Sequence, residues 1–200
     1  MGEIVGSEQS ERGQPMIKGI LLGIVLGIAG VAACVYAYFA TGRAPIAVEA
    51  AEMPFERKFA RMGLHSYLDK LPHLEPQVPA EEKNLLEGAK VYKSHCAVCH
   101  GLPDVAKTAI AEGMAPKPPQ LFKGVGVTDD EAWESYWKVK NGIRMTGMPG
   151  FKGHLTETEI WLVTVLVKNA DKITQAVKVE LTGSPTALAA PSAPAAAGKK

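Results

Sequence analysis

Tyr92-Lys-Ser-His-Cys96-Ala-Val-Cys99-His100-Gly101 is the stretch on which the reading of this chain turns. Two cysteines stand two residues apart, and a histidine follows the second directly. Thiols add across vinyl groups, and a haem b ring carries two of them. The two-residue gap lets Cys96 and Cys99 reach both vinyls from one turn of backbone, leaving two thioether bonds. His100, next in line, is then carried under the ring, where an imidazole nitrogen can bind the iron. One covalently attached haem c, held through Cys96 and Cys99, is the cofactor these residues predict.

Such cysteines have two other common uses. A thioredoxin-like dithiol needs a βαβ setting, whereas the residues before Cys96 read as helix with no strand-rich pattern beside them. A structural zinc site needs two more ligands at close spacing. No second Cys-x-x-Cys exists, and His65, His73, His95 and His154 are scattered.

The 200 residues carry 22 basic and 21 acidic side chains, for a formal net charge of +1. That balance argues against a nucleic-acid partner or an acidic tail protein. Of three cysteines only Cys34 lies outside the motif, so no disulfide framework is implied.

Outward from the motif the chain divides into five stretches. Residues 1–18 form a polar leader with Glu3, Glu8, Glu11, Arg12 and Lys18. Residues 19–40, GILLGIVLGIAGVAACVYAYFA, contain no charge. At about 1.5 Å per residue they are long enough to cross a ~30 Å hydrocarbon core. Their length favours a retained transmembrane anchor over a cleaved signal peptide, and Tyr36, Tyr38 and Phe39 crowd one end like an interfacial aromatic belt. A second possibility stays open, because Val31-Ala-Ala-Cys34 is similar to a bacterial lipobox in which Cys34 would be acylated. Arg12 and Lys18 on one side and Arg43, Arg57 and Lys58 on the other do not decide the orientation.

Residues 41–79 read as a spacer with a short amphipathic helix. Pro54 can open it, and Phe55, Phe59 and Met62 share one apolar face while Arg57, Lys58 and Arg61 occupy the others. That face packs on the main domain, lies on a membrane surface or docks on a partner subunit. Pro72, Pro76 and Pro79 mark the link into the next domain.

Residues 80–170 are predicted all-α. Leu85, Leu86, Ala89 and Tyr92 recur at helical spacing, with Gly88 marking a close helix crossing. Residues 102–130 read as loop. Thr128 with Glu131 is predicted to cap the next helix, which carries Trp133, Trp137 and Val139 and ends at Asn141-Gly142. Thr156 with Glu159 caps a last helix containing Trp161, Leu162, Val165 and Leu166, up to about residue 170. Residues 171–200 read as an Ala/Pro-rich disordered tail, most plainly from 183 onward, where the sequence is low in complexity.

An iron held by His100 has one axial position left. Met114, Met145, Met148, His154 and His95 are the candidates. Met148 stands out because Pro149 follows it on a stiffened loop between two helices, where a thioether can be held onto a metal. Met114 and Met145 read as core-filling residues, His95 as a surface helix residue and His154 as the runner-up ligand.

Together these residues make the stretch 80–170 resemble the class I cytochromes c. The resemblance rests on Gly88, Tyr92, Cys96-x-x-Cys99-His100-Gly101, Pro118-Pro119, Gly147-Met148-Pro149 and a C-terminal helix with Trp161. It implies a small helical domain around one haem, with His100 and Met148 as axial ligands and Pro118 or Pro119 fixing the ligating imidazole. It departs from the family where Val165 stands at a position often aromatic.

The resemblance further implies an electron carrier rather than an enzyme. Haem attachment to such motifs takes place outside the cytoplasmic membrane in bacteria, so a single-pass protein with its haem domain in the periplasm is expected. Redox proteins or oxidoreductase subunits are the expected partners. Lys117, Lys123, Lys138, Lys140, Arg144 and Lys152, without an acid between them in their two loops, suggest a positive ring for an acidic partner. Three roles follow: a membrane-tethered carrier in a respiratory or related chain, a haem c subunit of a larger membrane oxidoreductase, and a catalytic or sensory haem protein. Expressed with haem-maturation machinery, the reduced protein should show a sharp α band at a c-type position. Absence of haem would leave the dithiol.

Overall fold

The computed structural model describes residues 8–123 and 129–183, with residues 8–15 described by their backbone alone. The chain divides into two compact units, Met1–Arg61 and Met62–Lys200.

In the first unit, α1 runs from Glu8 to Ala40, so helix extends back into the expected polar leader. Its stretch Met16–Ala40 is long and apolar enough to cross a membrane, and its side chains are exposed throughout. Helix α2, Glu56–Leu68, begins in this unit. Pro54 and Phe55 form a turn before it, so Pro54 precedes the helix rather than occupying its first turn.

The second unit holds the last two turns of α2, α3 (Glu82–His95), α4 (Ala97–His100), α5 (Ala109–Glu112), α6 (Ala132–Asn141), α7 (Glu157–Lys168) and α8 (Gln175–Thr182). Among the described residues no strand forms, and a lone bridge joins Lys152 to Leu155. Helix α3 packs on α7 and α8, and α6 packs on α7.

Backbone contact makes the α3–α7 crossing possible. A Cβ at Gly88 would fall on the Leu162 carbonyl oxygen and 3.2 Å from the Leu166 Cβ, so only glycine lets the helices approach this far. Around the crossing lies an apolar cluster of Leu85, Ala89, Tyr92, Val163, Val165 and Leu166, all buried. Trp161 serves a different contact. It stacks on Tyr136 of α6, with ring centroids 4.1 Å apart, in a second cluster with Trp133, Ile160 and Leu68. Val165 therefore suffices at the α3–α7 seam because the aromatic bulk of α7 is turned towards α6.

Three boundaries differ from the sequence reading. Helix α6 starts at Ala132 with Glu131 in the extended N-cap conformation, not at Thr128, which lies outside the described residues. Extra chain also belongs to the core at both ends of 80–170. Leu64 and Leu68 at the end of α2 pack against the Trp133/Trp161 cluster, so 62–79 is more than a spacer. Beyond residue 170, α8 buries Val177 and Leu181 completely against α3. Thr174 caps α8 and donates to Glu82 at 2.7 Å, and Lys93 donates to the Glu180 carbonyl at 2.7 Å. The expected disorder of 171–182 is thereby overturned, since two side chains four residues apart are enough to hold a helix when they land on one seam. The predicted disorder from 184 onward falls outside the described residues. By contrast, the capping box of Thr156 and Glu159 on α7 forms as read.

Leu181→Ala should cost about 2–5 kcal/mol of stability, as deletions of buried leucine do. Gly88→Val should be at least as damaging, because α7 backbone must move. Chemical denaturation followed by far-UV circular dichroism checks both, and an unchanged midpoint in Leu181→Ala would mean α8 is not part of the folded unit.

Candidate functional site

Helix α3 breaks at Cys96, whose φ of −113° leaves the helical range, and the chain resumes as the single turn α4. This break places Cys96, Cys99 and His100 on the wall of one cavity of about 320 Å³. Leu121, Val139, Phe151 and Val163 contribute apolar wall, and Met148 enters from the loop between α6 and α7. The lining is thus apolar with a few placed polar groups, the character of a cofactor site.

His100 is held by its Nδ1, 2.9 Å from the carbonyl oxygen of Pro119. A carbonyl only accepts, so Nδ1 is the donor, and a neutral ring keeps Nε2 free of hydrogen and able to bind a metal. Burial lowers the His100 pKa, and the bond to Pro119 opposes that shift without cancelling it. The neutral ring is the ligating form.

Tyr92, together with residues that sequence reasoning did not single out, anchors the motif. Tyr92 Oη donates to the Gly101 carbonyl at 2.8 Å, and Gln120 Nε2 donates to the Cys99 carbonyl at 3.1 Å. Thr108 donates to the Val98 carbonyl at 2.5 Å, and the Leu121 amide donates to the His100 carbonyl at 3.2 Å. Gly101, at φ 74°, has no Cβ to collide with the Gln120 side chain. The prior signals among these were Tyr92, at helical spacing before the motif, and Gly101, directly after the histidine.

The Met148 loop is equally determined. Ile143 N–H donates to the Met148 carbonyl at 3.2 Å, while Thr146 Oγ1 accepts from Met148 N–H at 3.1 Å and donates to the Ile143 carbonyl at 2.7 Å. Phe151 and Lys152 donate back to the Val139 and Lys140 carbonyls. Gly142, at φ 72°, lies under this loop, where a Cβ would meet the Pro149 carbonyl carbon at 2.8 Å and the Met148 oxygen at 2.9 Å.

The other candidate ligands separate. Met114 also lines the cavity, with its methyl group where a Cβ on Gly147 would lie. Met145 is 92% exposed, so it does not fill core space as expected. Its φ of 61° turns it out of the loop. His154 is exposed and does not line the cavity, and His95 is an exposed helix residue at the cavity edge, 6.0 Å from the Phe151 ring.

The alternative chemistries find little support here. Burial, reinforced by Cys99, pushes the Cys96 thiol up to about 12. A thiol exchange catalyst needs the opposite shift. Among the described residues no three His, Cys, Asp or Glu side chains converge as a metal site.

The expected positive ring is weaker than its sequence. Lys138 pairs with Asp130 at 2.5 Å and lies near Glu134, and Lys140 pairs with Glu157 at 2.6 Å. Acids from neighbouring segments fold onto these lysines. Lys117, Lys123, Arg144 and Lys152 remain exposed.

An all-α unit with this cavity, this motif and a membrane-length helix before it is a membrane-anchored mono-haem cytochrome of class I type. Residues 83–166 match the family described as cytochrome c oxidase, cbb3-type, subunit III. Comparison with curated proteins and with solved structures gives no match. The matched stretch contains the whole Cys96-x-x-Cys99-His100 motif and Met148. Haem c is the cofactor, attached through Cys96 and Cys99, and the domain is an electron-transfer domain.

Replacing both Cys96 and Cys99 with serine should leave haem that acid–acetone extracts from the polypeptide, while the native chain retains it. Gly142→Ala should cost about 1–3 kcal/mol through its positive φ and its collision with the loop. Thermal unfolding of the holoprotein measures that loss.

Proposed function

We propose that this protein passes single electrons between redox partners at a membrane, with His100 and Met148 as the residues that would hold the iron of its haem. One observation carries the reading: a single cavity is lined by Cys96, Cys99, His100 and Met148, with His100 fixed by Pro119. The haem, when bound, supplies a reversible one-electron couple. The chain's part is to hold the imidazole in one tautomer through Pro119, to keep the thioether in reach through the Thr146 and Gly142 contacts, and to exclude water with apolar wall. A thioether together with an imidazole on the iron would favour the reduced state relative to two imidazoles. Were His100 and Met148 both to hold the iron, no position would be left for a substrate, which supports a carrier rather than a catalyst.

Membrane location follows from Met16–Ala40, and the haem domain lies on the periplasmic side of a bacterial cytoplasmic membrane, where such motifs are loaded. A second reading is favoured by the match of residues 83–166 to an oxidase subunit: the chain is then the haem c subunit of a larger membrane oxidoreductase. Purification in mild detergent distinguishes these, since a subunit brings its complex with it and a carrier comes alone.

The oxidised protein should show the weak far-red band of methionine-ligated ferric haem, and Met148→Ala should abolish it. That variant should also lower the reduction potential and let the reduced protein bind carbon monoxide. Survival of the band in Met148→Ala would reject Met148 and make Met114, the other thioether on the cavity wall, the ligand to test.

A further inference from the structure

Helix α2 has two faces with opposite fates. Leu68 is buried among Trp133, Trp161 and Ile160, and Leu64 packs on the same cluster. Tyr67 leans on Trp137 with centroids 5.4 Å apart. At about 100° per residue, Leu68 lies about 180° around the helix from Phe59. Phe59 and Met62, on that opposite face, are 60% and 53% exposed.

Phe55 joins them from just outside the helix. Its φ is 66°, a left-handed conformation costly for a bulky side chain. The strain sets its ring edge-on to Phe59, with centroids 6.2 Å apart, yet the ring stays 66% exposed. A strained aromatic held in solvent beside a second aromatic contributes nothing to the folded core.

We propose that the Phe55–Phe59–Met62 face lies in the interfacial layer of the same bilayer that α1 spans. Three features point to lipid rather than to a protein. Residues 41–54 are all that separate the end of α1 from Phe55, which keeps this face within roughly 50 Å of the membrane surface. The connector carries further exposed apolar side chains, Ile46 at 86% and Val48 at 51%, so the apolar surface runs back towards the anchor. Lys58 lies four residues before Met62 at the border of the face, where its stem can cover apolar surface while its ammonium reaches a lipid phosphate. Three acids lie here against Arg43, Arg57, Lys58 and Arg61: Glu52 pairs with Arg57, Glu56 accepts from the Met53 amide, and Glu49 is exposed beside Val48. An amphipathic helix of this kind lies in the plane of the interface and binds anionic lipid best.

Seated this way, α2 is a second membrane contact. It restricts how freely the haem unit, into whose core Leu64 and Leu68 are built, turns on its tether.

The test uses the full-length holoprotein in vesicles of phosphatidylethanolamine and phosphatidylglycerol. Cys34→Ala removes the one thiol outside the haem motif, and a nitroxide is placed at Phe59→Cys or, separately, at Arg61→Cys. Native haem absorbance confirms that each variant folds. The label at position 59 should collide with lipid-soluble oxygen several-fold more readily than with a water-soluble nickel chelate, and the label at 61 should show the reverse ratio. Equal nickel access at 59 and 61 would overturn the proposal, because the face would be in water. Shielding of position 59 from both reagents would overturn it in favour of a protein partner. Loss of the far-red band leaves this test untouched, so a wrong axial ligand and a wrong membrane contact are distinguishable.

Discussion

Two helices reach backbone contact only where one of them lacks a side chain. Gly88 provides that point, and the Leu162 carbonyl occupies the space a Cβ would need. The close approach sets the distance between α3 and α7, and from it follow the buried positions of Tyr92, Val163 and Leu166. Because α3 leads directly into Cys96, the same crossing places the first residue of the haem motif. The cavity wall contributed by Val163 and Thr164 belongs to the other partner in the crossing. Position of the site and stability of the core are therefore one constraint.

Around this fixed pair, the loops are held by hydrogen bonds rather than by regular structure. Residues 113–123 wrap one side of the cavity, and they and residues 101–108 are tied to the haem motif through Tyr92, Thr108, Gln120 and Pro119. Residues 142–156 wrap another, tied through Gly142, Thr146 and the return of Phe151 onto Val139. Each tie satisfies a backbone group that lies in or near an apolar cavity, where an unmet polar group is costly. The ties also set where the side chains of His100 and Met148 emerge.

Charge is distributed with less asymmetry than a list of lysines suggests. Asp130 and Glu157 lie outside the acid-free stretches yet fold back onto Lys138 and Lys140. What remains for attraction of a partner is a smaller set of exposed cations around the loops. Long-range steering depends on the summed field, so this pairing lowers it even though every lysine is present.

Sequence alone determined the haem motif, the helical class of the domain, the membrane-length apolar helix and the capping box of α7, because each depends on near neighbours in the chain. Two thiols and an imidazole need only their spacing to meet one ring. A 25-residue apolar helix needs only its own length. Tertiary structure decided the rest: which methionines face the cavity, which proline carbonyl meets His100, which lysines are neutralised, and that α8 and the end of α2 belong to the core. Met145 and Met148 sit three residues apart in one loop, and only the turn of the backbone at Met145 sends one to solvent and the other to the cavity. Val177 and Leu181 are two apolar side chains in a mixed stretch, and nothing marks them as buried until α3 is laid beside them. These outcomes rest on contacts between distant residues, and periodicity and spacing hold no record of those.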